Sequence, residues 1–526
     1  MARTAPYILL AALCGALFFW RLGSMPLIGL DEGLYAECSR EMLESGNYVV
    51  PTHNGEPFLE KPPVCYWLQA ASMRAFGVSS FSARLPSAVA ALLLVGLTAF
   101  IADRFYGRRA GLFAGFALAT TMLTMGLARL CLLDQVFALT IAASLGAFLL
   151  SYTGLIPKWG YLAFWAAAGL SAMVKGPAGP VLIFGTVAVF LLVRGRAREF
   201  AGTMPLAGVL LFAAIALPWY VIVQKETGGA FVREFIMYHN LQRAIGGGFN
   251  HNMPFYYYLP AYLVGFFPWS VFAPLAVAQH VKLRPKRKAD EASLFLAIWM
   301  GVVVVVCSLS RSKLPSYIFP AYPASAVLVG LMWSHAAETG RIASLRRYSV
   351  AAFVVAAAMI PAMLIGQRFL RTPIPGLGPV LLAMSISLAV GTALALVLMV
   401  MKRSTGAFAA ACGGMAAFLL TAAWLGLPIV ARVLADPAVD VARQIEASAS
   451  PSDRVIAYAL SPPQPGIAFY AKRFIHSEST PGDLRKALNS GKTSLVVAQV
   501  ERLRELPAGG SLQGRVGPYV FYRYGR

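Results

Sequence analysis

Apolar stretches of about twenty residues, the length a helix needs to cross a bilayer, recur along most of this chain and are separated by polar connections. About thirteen stand out, at 5–22, 82–102, 109–127, 133–151, 159–174, 177–193, 204–223, 255–280, 292–309, 316–335, 348–366, 378–401 and 406–431. Two connections are long, 23–81 and 224–254. From about residue 433 the pattern changes. An amphipathic helical repeat over Val439–Ala447 precedes β-like runs at Arg454–Tyr458, Ser494–Ala498 and Tyr519–Tyr522, with helical stretches near 481–489 and 500–505. The pattern predicts a polytopic α-helical membrane protein. Residues 1–432 form its membrane part, and 433–526 form a small α/β domain.

Composition agrees. With 58% hydrophobic and 13% charged residues, a soluble globular chain of this length is excluded. The net charge of +22 would suit a nucleic-acid partner, but the placement of the basic residues argues otherwise. Arg104, Arg108 and Arg109, Lys158, Arg194 to Arg198, Lys282 to Lys288, Arg341 to Arg347, and Lys402 with Arg403 all follow even-numbered spans. That is the positive-inside pattern, and it accounts for the charge without nucleic acid. It puts those connections and the N-terminus in the cytoplasm. The 23–81 and 224–254 loops and the tail then lie on the opposite, extracytoplasmic face. Six cysteines are scattered. Cys38 and Cys65 share the first polar loop and are the one pair that an oxidising compartment could join.

The residues with chemical potential fall on that same predicted face. The first loop carries Asp31-Glu32 at the start of a helical repeat, where a membrane-surface helix is expected. Two readings stand side by side there. The pair either caps the helix, since negative charge is favoured near its N-terminus, or supplies a base or a partner for a developing oxocarbenium ion at a sugar carbon. One carboxylate suffices for the second role when the leaving group is already a phosphate. Such a leaving group needs positive charge more than protonation. Lys61, Arg129, Lys175, Arg243, Arg311 and Lys313 share the face. Each alone reads as an interfacial anchor; together they fit a phosphate cradle. Glu60 and His239 are both possible ligands for a divalent metal, zinc or magnesium. The aromatic run Phe255 to Tyr258 reads as an interfacial belt.

At these residues the chain resembles a known family. DEGLYAECSREMLESGNYVVPTHNGEPFLEKPPVCYWL is similar to the first periplasmic loop of bacterial lipid A aminoarabinose transferases, which are GT-C glycosyltransferases together with the protein O-mannosyltransferases. The resemblance continues through ARLPSAVAALL, ARLCLLD, VKGPAGPVL, YHNLQR and SRSKLPSYIFPAYPA. It implies a GT-C fold of about thirteen transmembrane helices with a periplasmic α/β domain. It also implies inverting transfer of a sugar from a polyprenyl (undecaprenyl) phosphate to lipid A, another envelope glycan or a protein. By the resemblance, Asp31 is the catalytic aspartate, with Glu32 beside it. Asp134 and Lys175 position it. Lys61, Arg243 and Tyr317 face the donor phosphate, and Glu60 with His239 holds the metal. Leu34 departs from the pattern, because aminoarabinose transferases commonly carry arginine there. A transporter of the same lipid is the reading from another class. Transporters place charges and broken helices at mid-membrane, often in two related halves, whereas here the polar residues crowd one face and no internal repeat is visible.

Overall fold

The computed structural model describes residues 4–525 apart from 243–252, 341–342, 367–373, 435, 461–464 and 490–491. It divides into two compact units. The first comprises Met1–Leu22, Glu60–Cys65 and Arg84–Gly426, and the second Gly23–Leu59, Tyr66–Ala83 and Leu427–Arg526. The first polar loop thus groups largely with the tail rather than with the membrane part.

The first unit is helical. Among the described residues eight helices are long and apolar enough to span a membrane, and nine if the bent pair Arg108–Ala119 and Met122–Ala128 counts as one span. Two shorter apolar helices, Ala5–Phe19 and Ala178–Val193, add to these. The protein is therefore a multi-pass membrane protein. The count falls below thirteen for visible reasons. The 255–280 stretch is broken into Tyr258–Gly265, the short turn Trp269–Val271 and Ala273–His280. The 159–174 stretch is a helix of only 16 residues, Gly160–Lys175. Lipid offers no hydrophobic drive between helices, so close packing holds them. Gly330 shows this: a Cβ there would lie 2.6 Å from the Ala114 backbone nitrogen. Gly391 and Gly414 likewise meet backbone to backbone.

The second unit joins the largely buried helix Gly29–Ser45 to an α/β domain. The helix is followed by a small hairpin of β1 (Thr52–His53) and β2 (Glu56–Pro57). The domain's sheet has the order β4-β3-β5-β7-β6, from β3 (Arg454–Tyr458), β4 (Ile475–Glu478), β5 (Ser494–Gln499), β6 (Ser511–Val516) and β7 (Tyr519–Tyr524). β3 pairs in parallel with β4 and β5, while β7 is antiparallel to β5 and β6. Alternation along β3 and β5 sends Val455 and Leu495 to one core and Ile456 and Val496 to the other. The first core is closed by Val441 and Ile445 of the Asp436–Ser448 helix, the second by Leu484 of Pro481–Leu488. Three of the five strands agree with the sequence pattern. β4 and β6 are missing from it because they are edge strands with partly exposed, polar faces, and β4 has only 4 residues.

Cys38 and Cys65 are both buried, and each is a thiol rather than half of a disulfide.

Candidate active site

The first unit contains a cavity of about 440 Å3. Its walls are largely apolar, from Phe137, Leu182, Phe235 and Leu309, and Glu60, Lys61, Lys175, His239 and Tyr317 bring polar groups to it. A mostly apolar cleft with a few convergent polar groups is the usual form of a small-molecule site. Each polar group has a local reason for its place. Glu60 and Lys61 stand just before Pro62-Pro63, where no helix can form, and the helix Val64–Phe76 starts only after them. Lys175 ends the Gly160–Lys175 helix, and Gly176 leaves it at φ 72°, so the chain turns sharply there. A cation at a helix C-terminus is favoured by the dipole. His239 lies on the wide-turned segment Val232–Gln242.

The charges are held in pairs. Lys175 Nζ is 2.8 Å from Asp134 Oδ1 and 4.5 Å from the centre of the Tyr317 ring. Asp134 opens the Asp134–Tyr152 helix, where its charge meets the positive end of the dipole. Lys61 Nζ donates to the Glu60 carbonyl at 3.1 Å and lies 3.9 Å from the Glu60 carboxylate. His239 Nε2 is 3.9 Å from Glu60 Oε1. Two ligands each about 2.1 Å from one ion can stand at most about 4.2 Å apart, so this pair fits a shared divalent metal. No cluster of three or more metal-ligating side chains occurs among the described residues.

Not every cation of the predicted cradle faces the cavity. Arg129 is buried and donates to the carbonyls of Leu17, Trp20 and Arg21 at 3.1, 3.0 and 3.5 Å. It closes the C-terminal end of the first helix. Lys313 donates to the carbonyls of Met253, at 3.1 Å, and Ser310, which braces the 310–316 turn. Arg243 lies outside the described residues. The cavity also takes Cys307 and Ser312, which sequence reasoning missed. A lone Ser and a Cys beside an apolar span carry no signal that separates lining from packing.

Asp31 and Glu32 belong to the second unit, and there they differ. Asp31 is the third residue of the Gly29–Ser45 helix and is exposed. Glu32 is buried, and its carboxylate accepts the Ile28 N–H at 2.7 Å. Ile28 is the residue before the helix and has no capping side chain of its own, so Glu32 does that work for it. The helix's other acids are also engaged. Glu37 takes Arg40 in a two-point contact at 2.6 and 2.7 Å. Glu41 accepts from Thr52 Oγ1 and the N–H groups of Asn54 and Gly55 at 2.6, 2.5 and 3.1 Å, which fixes the hairpin.

The fit of this helix onto the α/β domain is close. A Cβ on Gly33 would lie 2.6 Å from the Gly466 nitrogen at the start of the Gly466–Ala471 helix. The Tyr470 hydroxyl accepts the Leu27 N–H at 2.6 Å and meets Ser80 Oγ at 2.9 Å. Asn54 Oδ1 accepts the Ile475 N–H of β4 at 2.8 Å.

Comparison with known proteins bears on the fold and the family. The family described as dolichyl-phosphate-mannose-protein mannosyltransferase matches residues 60–222. An uncharacterized protein of Aquifex aeolicus is 33% identical over 306 residues, 58% of this chain and 68% of that protein. The undecaprenyl phosphate-alpha-4-amino-4-deoxy-L-arabinose arabinosyl transferase 2 of Sodalis glossinidius is 33% identical over 59% of this chain and 56% of its own length. The alignments span 56–68% of these two relatives. The crystal structure of ArnT from Cupriavidus metallidurans bound to undecaprenyl phosphate superimposes with a TM-score of 0.85 at 25% identity, over 99% of this chain and 98% of that one. The chain belongs to the aminoarabinose-transferase-like family of GT-C glycosyltransferases.

Proposed function

We propose that the protein moves a sugar from a polyprenyl phosphate, undecaprenyl phosphate being the carrier, to lipid A or another envelope glycan. It does so in the bacterial inner membrane, with its site and its α/β domain on the periplasmic side. The observation that carries the reading is the cavity: apolar walls suited to an isoprenoid, with Lys61 and Lys175 at its polar end. The likeness to a protein solved with undecaprenyl phosphate supports the same donor. The reaction balances simply. An acceptor oxygen attacks the anomeric carbon as the bond from that carbon to the phosphate oxygen breaks. The bonding electrons leave with the polyprenyl phosphate, and the configuration inverts. Asp31 takes the acceptor's proton and faces the positive charge that develops on the sugar. Lys61, Arg243 and Tyr317 receive the charge arriving on the phosphate. Lys175, locked to Asp134, holds the cavity's polar wall. Glu60 and His239 would hold a divalent ion, which would neutralise donor phosphate charge.

The test is mass spectrometry of lipid A incubated with the purified protein and undecaprenyl-phosphate sugars. A gain of one pentose, hexose or uronic acid residue is expected with the natural protein and not with Asp31→Asn. Sugar on a Ser or Thr peptide instead would shift the acceptor to protein, the reading favoured by the mannosyltransferase description of residues 60–222. For the metal, about one equivalent per chain is expected by elemental analysis and should be lost in Glu60→Ala.

A further inference from the structure

The second unit has a cavity of its own, of about 570 Å3, at the N-terminal edge of the parallel strands. Arg454 at the start of β3, His476 on β4, Lys472 and Lys492 line it, and Arg40 with Glu44 of the Gly29–Ser45 helix forms another wall. The acids there are already matched. Asp453 is 2.9 Å from Arg523 and accepts the Ser450 N–H at 2.9 Å, and Glu44 is bonded to Arg40. Arg473 is committed to the carbonyls of Ala449, Ser450, Pro451 and Asp453. Among the described residues, Arg454, Lys472 and Lys492 have no ion pair. Like charges gathered round one concavity repel one another, and a fold retains such a conflict where something else resolves it. The effect is felt at His476. Burial first, then Arg454, lowers its proton affinity, and Lys492 adds to this against the pull of Glu478 and Glu56.

We propose that this cavity binds a phosphate group of the acceptor glycolipid's headgroup. A guanidinium fork and two ammonium groups match a tetrahedral dianion. The Phe474 ring, 52% exposed at the cavity, offers an apolar face to a sugar, which favours a phosphorylated sugar over bare phosphate. The Gly29–Ser45 helix ties the two ends together. Arg40 stands nine residues beyond Asp31, about 14 Å along a helix, a span that a phosphorylated disaccharide can bridge. The acceptor's identity rests on the function proposed above.

The experiment uses full-length protein in phosphatidylcholine nanodiscs, with diphosphorylated lipid A as the probe. In Arg454→Gln/Lys492→Gln the KM for this acceptor should rise about ten-fold, with kcat and the donor KM unchanged. Direct binding, measured on the same nanodiscs without donor, should weaken equally. Dephosphorylated lipid A should bind both proteins alike. Unchanged acceptor binding in the double variant overturns the proposal, as does an equal loss for the dephosphorylated lipid. Tight competition by millimolar inorganic phosphate alone would make this a free-phosphate site and also overturn it. The binding arm needs no turnover. A natural protein that binds diphosphorylated lipid A through these residues yet transfers no sugar refutes the proposed reaction and leaves this site standing.

Discussion

The two units handle charge in opposite ways. In the first, the polar groups at the cavity are few and paired across short distances within apolar walls, with Lys175 on Asp134 and Lys61 beside Glu60. In the second, the Gly29–Ser45 helix carries a row of acids, of which Glu32, Glu37 and Glu41 are buried in capping or bridging work while Asp31 is exposed. A carboxylate consumed by its own backbone is held in place and is a poor base. The comparison therefore separates neighbours that the sequence presents as equals: Glu32 is buried at the helix end, while Asp31 is exposed, as the chemistry proposed for it requires.

The largest expected effect tests that separation. Asp31→Asn keeps the side chain's shape and removes its charge. Turnover should fall roughly 10²–10⁴-fold, the range of a general acid–base group, with the melting temperature little changed because an exposed first-turn charge contributes only about 0.3–1 kcal/mol. Glu32→Gln should do the reverse. It weakens the bond to Ile28 N–H, lowers stability by about 1 kcal/mol and leaves most of the turnover. Equal losses of turnover in the two variants would falsify the division of labour.

Next in size is the cavity's ion pair. Asp134→Ala leaves the Lys175 ammonium without its 2.8 Å partner in a low-dielectric wall. Breaking a buried pair from one side costs about 3–5 kcal/mol. Asp134→Ala with Lys175→Met should recover much of that stability while donor affinity stays low. Thermal unfolding in detergent, paired with donor titration, reads both. A single variant as stable as the natural protein would mean that the pair is solvated.

Much of the fold was legible in the sequence, for one reason. Transmembrane helices and the central strands β3, β5 and β7 are written as long or strongly patterned apolar runs, and burial on both faces leaves little choice. What escaped was set by tertiary context. The 255–280 stretch is apolar throughout yet broken into pieces, and β6 is a strand only because β7 lies beside it. The site was legible to the extent that charge inside a membrane protein is conspicuous. Charge alone did not say which way a side chain turns. Arg129 and Lys313 carry the same charge as Lys61 and Lys175, but they do not line the cavity and are spent on carbonyls such as those of Leu17 and Met253. Sequence reasoning grouped all four because the carbonyls at the end of a helix or a turn leave no mark in the string of letters.

The close fit of the Asp31 helix to the α/β domain has its own test. Gly33→Ala sets a methyl 2.6 Å from the Gly466 backbone nitrogen, and backbone has no rotamer with which to retreat. Overpacking of this kind costs about 1–3 kcal/mol. Since the shift falls two residues from Asp31, turnover should drop as well. Gly33→Ala that matches the natural protein in both melting temperature and kcat would show that the two helices can slide apart freely.

The smallest effect is expected at Tyr470. Its hydroxyl accepts the N–H of Leu27, two residues before the start of the Asp31 helix, and also meets Ser80 at the start of the Ser80–Tyr106 helix. Tyr470→Phe keeps the ring packing and removes this one acceptor. A backbone N–H that loses its partner costs about 1–3 kcal/mol if it stays buried and less if water replaces the hydroxyl. The Leu27 N–H bond is only partly buried, so a loss near the lower end, about 1 kcal/mol, is expected. Hydrogen exchange locates the loss better than melting does. Protection should fall at Leu27 and Ile28 first, where the chain enters the helix, while β3 and β5 keep theirs. A uniform loss across the sheet would instead make Tyr470 part of the domain's core and free the Asp31 helix from it.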